Sequence, residues 1–545
     1  MALIRNRLSL FLLPAILFVC SLAGGFYGPS MQTAIAASDV ETSTPESEVA
    51  TFTKIYSLVE QNFAEPLKPE KAIYRGAIPG MLRTLDPHSN FFDPRDYKSL
   101  QEEQRGSYSG VGMTVSARNG KTVVIAPFPG MPAYKAGIRP GDIIVFVNDK
   151  PTEGLNTTEV ADILKGPKDT PVKIVVSREG AADFVTYSVT RGDITRKSVP
   201  DGFMVKPGIA YIKILSFAEG TGRELEENLQ RLGESNLKGL ILDLRGNPGG
   251  LLNAGVRVSD HFLQKGQLIV SHHGRASQER PFVARTGNRG LNYPIVVLVD
   301  RYSASASEIV SGALQDHDRA WILGETTFGK GLVQSVFPLA DNTGLALTIA
   351  HFYTPSGRLI QRDYTNKSFY EYYFRKDENA RNPLDVKMTD AGRTVYGGGG
   401  ITPDEKYESH KMDKLEAELF RSGFFNFTRQ YFSKHNTQLS KGWMPDDEVL
   451  TQLHDYLTKQ KVQFAEADWT KDQAWIRRYL AREMYIHAFD VDASDRMFAM
   501  TDPEVERAID ALPKAQALVQ GARRAARERM GKPHEESRAA AAVQR

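Results

Sequence analysis

Residues 294–339 read PIVVLVDRYSASASEIVSGALQDHDRAWILGETTFGKGLVQSVFPL, and the order of elements in this stretch decides the fold. An unbroken apolar run of strand length, PIVVLVD, passes through a turn of small residues into a helical pattern, SASEIVSGALQDH. Two more strand-like runs follow, WILGE and LVQSVFPL. Apolar strands that alternate with helices belong to a parallel sheet covered on both faces. Ser305 falls at the junction of the first strand and the helix, beside backbone N–H groups that lack intrahelical acceptors. Chemistry that builds an oxyanion needs such donors. A serine there also suits N-capping, and on local pattern Ser303 and Ser307 are its equals. Lys330 stands twenty-five residues on, with Gln334 four beyond it. If KGLVQSVF is a strand, Lys330 and Gln334 share one face. A neutral lysine can take a proton from a serine. Discharging it near neutral pH requires about 4–5 kcal/mol of selective destabilisation of the ammonium, which burial can supply.

Working outward, the same alternation extends from Ile209 to about Gly357. Strands are expected at IAYIKILSF, GLILDLRG and LALTIAHFY, and helices at GRELEENLQRLGES and LLNAGVRVSDHFL. This predicts an α/β core. Within it, LDLRGNPGGLL (242–252) ends a strand in a glycine-rich turn whose N–H groups can face a substrate oxygen. Upstream, residues 106–195 carry short alternating runs punctuated by Gly and Pro, with one helix, NTTEVADILKG, opened by an Asn156…Glu159 capping pattern. They form a small β-rich module. Residues 51–105 show helical spacing (Phe52, Ile55, Tyr56, Val59, Phe63), interrupted at LDPHSNFFDP by two Asp-Pro turns. Residues 39–50 are polar and read as a linker. Residues 358–410 are irregular and close the 196–410 core at YGGGGITPDE, a compact site or hinge. Residues 411–515 are aromatic-rich helices, and 516–545 read as a basic, disordered tail.

The chain has 545 residues, 41% hydrophobic and 25% charged, with 68 Lys and Arg against 66 Asp and Glu. Such a balance excludes a polytopic membrane protein and gives none of the basic excess of a nucleic-acid binder. The single cysteine, Cys20, excludes intrachain disulfides and four-cysteine metal sites. At the amino terminus, Arg5 and Arg7 precede an apolar run from Leu8 to Phe26, and TAIAAS follows. This is an export signal over residues 1–37, of a length between a cleaved peptide and a membrane anchor. A periplasmic or otherwise extracytoplasmic location is expected. GETTFGKG (324–331) nearly spells a phosphate-binding loop, but Gly331 stands where the magnesium-binding Ser or Thr belongs, and a strand rather than a helix follows. GNPGG echoes the serine loop of trypsin-like proteases with Pro248 in the place of the nucleophile. No H-E-x-x-H pair is present, and no metal or other cofactor is expected.

Five segments taken together, GVGMTV…PFPGMPAYKAGIRPGDIIVFVND, LDLRGNPGGLL, SASASEI, GETTFGKGLVQ and YGGGGITPDE, resemble the carboxyl-terminal processing (tail-specific) proteases, serine peptidases with a PDZ domain. The resemblance runs in order from about residue 51 to 405. It implies a Ser/Lys dyad assisted by a glutamine, which falls on Ser305, Lys330 and Gln334. The oxyanion donors would be the N–H of Gly250, or of Gly249, together with that of Ala306. The core would resemble the ClpP/crotonase type of α/β spiral, with the module at 106–195 inserted as a PDZ domain. Gly110, Val111 and Gly112 would then cradle a terminal carboxylate, in a groove between the VGMTV strand and the 157–165 helix. The expected partners are proteins with flexible, apolar carboxyl-terminal tails. The 411–515 helices lie outside the resemblance, which leaves their role open; a dimerisation or adaptor-binding element is one reading of them.

Overall fold

The computed structural model describes residues 44–68, 70–374, 382–435 and 438–531. The export segment and Cys20 lie outside them. Among the described residues no helix is long and apolar enough to cross a membrane. The chain divides into two compact units, one ending at Met81 and the other beginning at Leu82.

In the first unit, helix α1 spans Pro45–Asn62. The Thr44 side chain accepts from Ser47 N, Pro45 opens the helix, and Glu46 and Glu48 occupy its first turn. Residues 45–50, read as linker, are therefore helical. The polar composition of TPESE is a helix start, in which cap, proline and acidic residues all favour the same turn.

The second unit begins with strand β1 (Asn90–Phe92) and helix α2 (Pro94–Arg105). The helix is capped by Asp93 and ends at Gly106, whose φ of 69° suits glycine. The PDZ-like module is attached through a short stem, strand β2 (Ser107–Gly110) lying antiparallel to the returning segment Gly192–Thr195. Inside the module, β3 (Met113–Arg118), β4 (Lys121–Pro127), β5 (Ile143–Val147), β6 (Lys150–Pro151), β7 (Pro171–Ser177) and β8 (Val185–Thr190) form an antiparallel sheet. Its order is β3-β4-β5-β7-β8, with β6 on β5. Helix α3 (Thr157–Leu164) opens with the expected Asn156–Glu159 capping box and packs Val160 and Leu164 against Val124, Ile144 and Ile174. β3 is an edge strand of this sheet, and the segment Gly192–Thr195 is numbered β9.

The core sheet comprises β10 (Phe203–Lys206), β11 (Ile209–Lys213), β12 (Gly239–Asp243), β15 (Ile295–Val299), β16 (Trp321–Gly324) and the pair Glu405–Lys406, in that order. It is parallel from β11 onward. A second sheet carries β13 (Leu268–Gly274), β14 (Ser277–Val283), β17 (Leu332–Pro338) and β18 (Gly344–Tyr353), with β1 on β18. Helices α4 (Thr221–Arg231), α5 (Leu252–Phe262) and α6 (Ala306–Asp316) cover one face of the core sheet, where Leu229, Phe262 and Val310 meet Ile212, Leu242 and Val297. Alternate residues of the same strands, Ile241, Val296, Leu298 and Leu323, point the other way. Both faces are thus apolar, which is why these strands read as unbroken hydrophobic runs.

After helix α7 (Phe369–Phe374), the aromatic helices α8 (Phe424–Lys434), α9 (Asp447–Lys459) and α10 (Glu466–Ala488) form a core of their own around Phe427, Leu453 and Leu480. They also touch the inserted module. Arg429 Nη2 lies 2.8 Å from Glu179, and the Arg118 guanidinium sits over the Phe425 ring. Helix α11 (Val491–Met500) leads into α12 (Pro503–Gly531), which covers the second face of the core sheet with Val505, Ala508, Leu512 and Ala515. Residues 516–531, read as disordered tail, continue this helix. Alanine, arginine and glutamate at these positions are strong helix formers, and Val519 is still buried. Residues 532–545 lie outside the described part.

Leu512 presses on Gly239, whose hypothetical Cβ would fall 2.8 Å from a Leu512 methyl. Leu512→Ala is expected to destabilise the second unit by about 2–4 kcal/mol, the usual cost of emptying a buried leucine site. Urea denaturation followed by tryptophan fluorescence measures it.

Candidate active site

Ser305 ends the turn between β15 and α6 with φ 55° and ψ −112°, a conformation that non-glycine residues avoid. Its neighbours on the local pattern are spoken for. Ser303 and Ser307 are fully buried. Their hydroxyls donate to the carbonyls of Leu244 (2.9 Å) and Asn247 (3.0 Å). Ser305 alone of the three remains partly accessible.

What holds the turn is Glu308, wholly buried in the first turn of α6. Its Oε2 accepts from the backbone N–H of Ser305 (2.8 Å) and of Lys330 (2.8 Å), and its Oε1 from Gly329 N (2.6 Å) and the Thr327 hydroxyl. Burial pushes this carboxyl up, and the four donors pull against it. An acceptor for four donors has the hydrogen-bonding pattern of an ionised carboxylate. One side chain thus ties the Ser305 turn to the Lys330 loop.

Lys330 sits in that loop, two residues ahead of β17, and not within the strand as expected. Its Nζ donates to Gln334 Oε1 at 3.0 Å. Gln334 is the third residue of β17, just past a shift in the register of β17 on β18 between Val333 and Gln334. Gln334 Nε2 in turn donates to the carbonyl of His88 at 2.7 Å. Among the described residues no hydrogen bond joins Lys330 Nζ to Ser305 Oγ. Burial lowers the Lys330 amine, opposed by the charges of Glu308 and Asp86. The His88 imidazole, buried and close to Lys330, is pushed down to about 4 and is neutral at physiological pH.

The glycine turn lies directly against the serine. A Cβ on Gly249 would fall 2.7 Å from Ser305 Cβ and 2.9 Å from Ala306 N. Asn247 fixes this turn by accepting from Gly249 N on Oδ1 and donating from Nδ2 to Ile214 O, both at 2.8 Å. The Gly249 N–H is therefore engaged. Those of Gly250 and Ala306 find no acceptor among the described residues. Beside Gln334 a groove of about 1150 Å³ opens, with mixed walls: Leu251, Phe282 and Val333 on the apolar side, and Arg257, Glu279 and Arg280 among the charged residues. Of the four glycines 397–400, Gly400 packs on the lysine loop. Gly400 (φ 84°) lies so close that a Cβ there would fall 2.5 Å from Thr327 O.

In the inserted module, the carbonyls of Val111 and Gly112 accept from Ala133 and Phe128 N–H. Their own N–H groups find no acceptor among the described residues, and both residues are buried.

The sequence profile of peptidase family S41 matches residues 208–367, and that of the PDZ domain matches residues 123–178. A carboxy-terminal-processing protease of Bartonella bacilliformis is 35% identical over 346 residues, covering 62% of this chain and 79% of that protein. The chain belongs to peptidase family S41. The carboxy-terminal processing protease CtpA of Bacillus subtilis is likewise 35% identical, over 59% of this chain and 68% of its own length. Among solved structures, the photosystem II D1 C-terminal processing protease is 28% identical over 65% of this chain and 86% of that one, with a TM-score of 0.34. This S41 chain is accordingly a serine-type peptidase of the carboxy-terminal processing group, with an α/β core and an inserted PDZ domain.

Three residues of this candidate site escaped the sequence reading. Glu308 had a signal, since Ser305-x-x-Glu308 is a capping-box spacing, but nothing local says that its carboxylate also reaches residues 327–330. Asn247 and His88 act through polar contacts with distant strands and carry no local signature. Glu308→Gln would turn an amide NH2 toward backbone donors. It is expected to destabilise the protein by about 2–4 kcal/mol, given about 1–3 kcal/mol per orphaned buried donor. The same change should abolish casein digestion, and thermal unfolding together with a digestion assay checks both.

Proposed function

We propose that this S41 peptidase is exported, captures the unstructured carboxyl-terminal tails of proteins on its PDZ domain, and cleaves nearby with Ser305 as nucleophile and Lys330 as general base. The observation that carries the reading is Glu308, whose single carboxylate binds the backbone of both residues. In the reaction, neutral Lys330 swings on its flexible stem to Ser305 Oγ and takes its proton as Oγ attacks the scissile carbonyl. Gln334 Oε1 accepts one N–H of the amine and leaves the nitrogen lone pair for that transfer. The N–H groups of Gly250 and Ala306 receive the oxyanion, and Lys330 returns the proton to the leaving amine.

Buried N–H groups without acceptors, such as those of Val111 and Gly112, suit a carboxylate. The open edge of β3, with α3 beside it, suits an added strand. Arg5, Arg7 and the apolar run 8–26 support export. Fusing residues 1–43 to alkaline phosphatase should yield active, extracytoplasmic phosphatase, and a fusion that is made but stays cytoplasmic and inactive would overturn export.

Ser305→Ala and Lys330→Ala are each expected to abolish β-casein cleavage, with the double variant no worse, because nucleophile and base act as one unit. Lys330→Arg should also be inactive, since a guanidinium stays protonated. The rate should rise with pH through one lysine ionisation: below it the ammonium cannot accept a proton, and above it the rate is flat. His88, neutral from about 4 upward, adds no second step, so a histidine-like limb near neutrality would contradict this assignment. Free-acid peptides ending in Ala or Val should be cut about ten- to hundredfold faster at low concentration than their amides. That ratio is the loss of about 1.5–3 kcal/mol of charge-assisted hydrogen bonding. Equal rates would remove tail recognition and leave the dyad standing.

A further inference from the structure

The segment LDPHSN, more than two hundred residues from Gln334 in sequence and on the far side of the PDZ insertion, enters the site through a main-chain carbonyl. We propose that Asp86, acting through the main chain of His88, is a positioning residue that fixes which end of the Gln334 amide faces Lys330. The proposal rests on the Ser305–Lys330–Gln334 reading given above.

A glutamine amide turned by 180° keeps almost the same shape, so packing alone does not choose between its two orientations; hydrogen bonding does. The His88 carbonyl only accepts. It therefore binds Nε2, as observed at 2.7 Å, and leaves Oε1 toward Lys330 Nζ at 3.0 Å. The chemical consequence is specific. An amide with its NH2 toward the lysine would donate to the amine lone pair and occupy the electrons that must take the serine proton. With Oε1 toward the lysine, the amine donates and its lone pair stays free.

The carbonyl is itself held on several sides. Asp86 Oδ1 accepts from His88 N (2.7 Å) and Ser89 N (2.8 Å), and Oδ2 from the Ser89 hydroxyl (2.7 Å). Ser89 Oγ then accepts from Thr348 N at 3.1 Å, and Thr348 is the residue of β18 that lies opposite Gln334. The turn and the glutamine are thus referred to the same strand. The His88 ring is gripped by the hydroxyls of Tyr372 (2.8 Å) and Tyr373 (3.2 Å) from α7, and Tyr373 also donates to Pro87 O at 3.1 Å. Asp86 is buried; burial works against its ionised form, but its hydrogen bonds from Ser89 and His88 hold the carboxyl below the usual range.

The test is steady-state cleavage of fluorescently labelled β-casein by the full chain. Asp86→Ala should lower kcat about tenfold, the equivalent of one lost hydrogen bond in the transition state, with KM unchanged. Asp86→Asn, whose carbonyl still accepts from both N–H groups, should stay within about threefold of the parent. In a Gln334→Ala background, Asp86→Ala should cost nothing further, because its effect passes through the glutamine. Lys330 faces the carboxylates of Glu308 and Asp86 and the imidazole of His88, with the Tyr372 and Tyr373 hydroxyls and Arg362 behind that ring. Both Asp86 variants delete one negative charge, so both should move the acid limb of the pH profile downward alike while only the alanine loses kcat. Losses that add in the double variant, or an Asp86→Asn as impaired as Asp86→Ala, would overturn the inference. If Asp86→Ala fails to fold, Tyr373→Phe carries the same comparison: it should reduce kcat with Gln334 present and change nothing in Gln334→Ala. Full turnover by Lys330→Ala would remove both the dyad and this proposal. Additive losses alongside an inactive Lys330→Ala would remove only the latter.

Discussion

One buried carboxylate organises this protein. Glu308 accepts four hydrogen bonds, and its donors come from two loops that the chain separates by a helix and a strand. An ionised group without water is costly unless every lone pair is met. The folded arrangement is therefore close to all-or-none: the Ser305 turn and the 327–330 loop are in place together or the charge is stranded. The unusual backbone of Ser305 is sustained in the same way, by a bond to its own N–H.

Around that centre the labour is divided between rigid and fine elements. The parallel sheet places the ends of β12, β15 and β16 side by side, so the glycine turn, the serine turn and the lysine loop all emerge at one edge. Polar side chains then set the last ångström. Asn247 consumes the N–H of Gly249 and so leaves that of Gly250 free, which distinguishes two donors that the sequence leaves equivalent. Burial of Ser303 and Ser307 separates three serines in the same way.

Much of this was legible in the residues. The strands of the core sheet from Ile209 to Gly324 fall where hydrophobic period places them, because a doubly covered sheet leaves little freedom in pattern, whereas the hairpin β13–β14 of the second sheet, with mostly exposed or half-buried residues in β14, was missed. Lys330 and Gln334 do meet, although the lysine stands in the loop ahead of β17 and not in the strand. The helix over 516–531 was missed because charge at a chain end suggests solvation, and Val519 is the single buried residue among those of 516–528, too little to show as an apolar stripe. Long-range polar contacts, such as His88 with Gln334, were invisible for a plainer reason: their partners lie 246 residues apart.

The position of α12 has a consequence for biogenesis. A nascent chain that has emerged as far as Met500 already contains every residue of the site, yet Ile241, Val296, Leu298 and Leu323 still lack the helix that covers them. Parallel strands are stable only when covered on both faces, and the loops of the site hang from these strands. The fold of the site is thereby tied to α12: a fragment made by interrupted translation or by clipping ahead of Pro503 leaves one face of these strands bare.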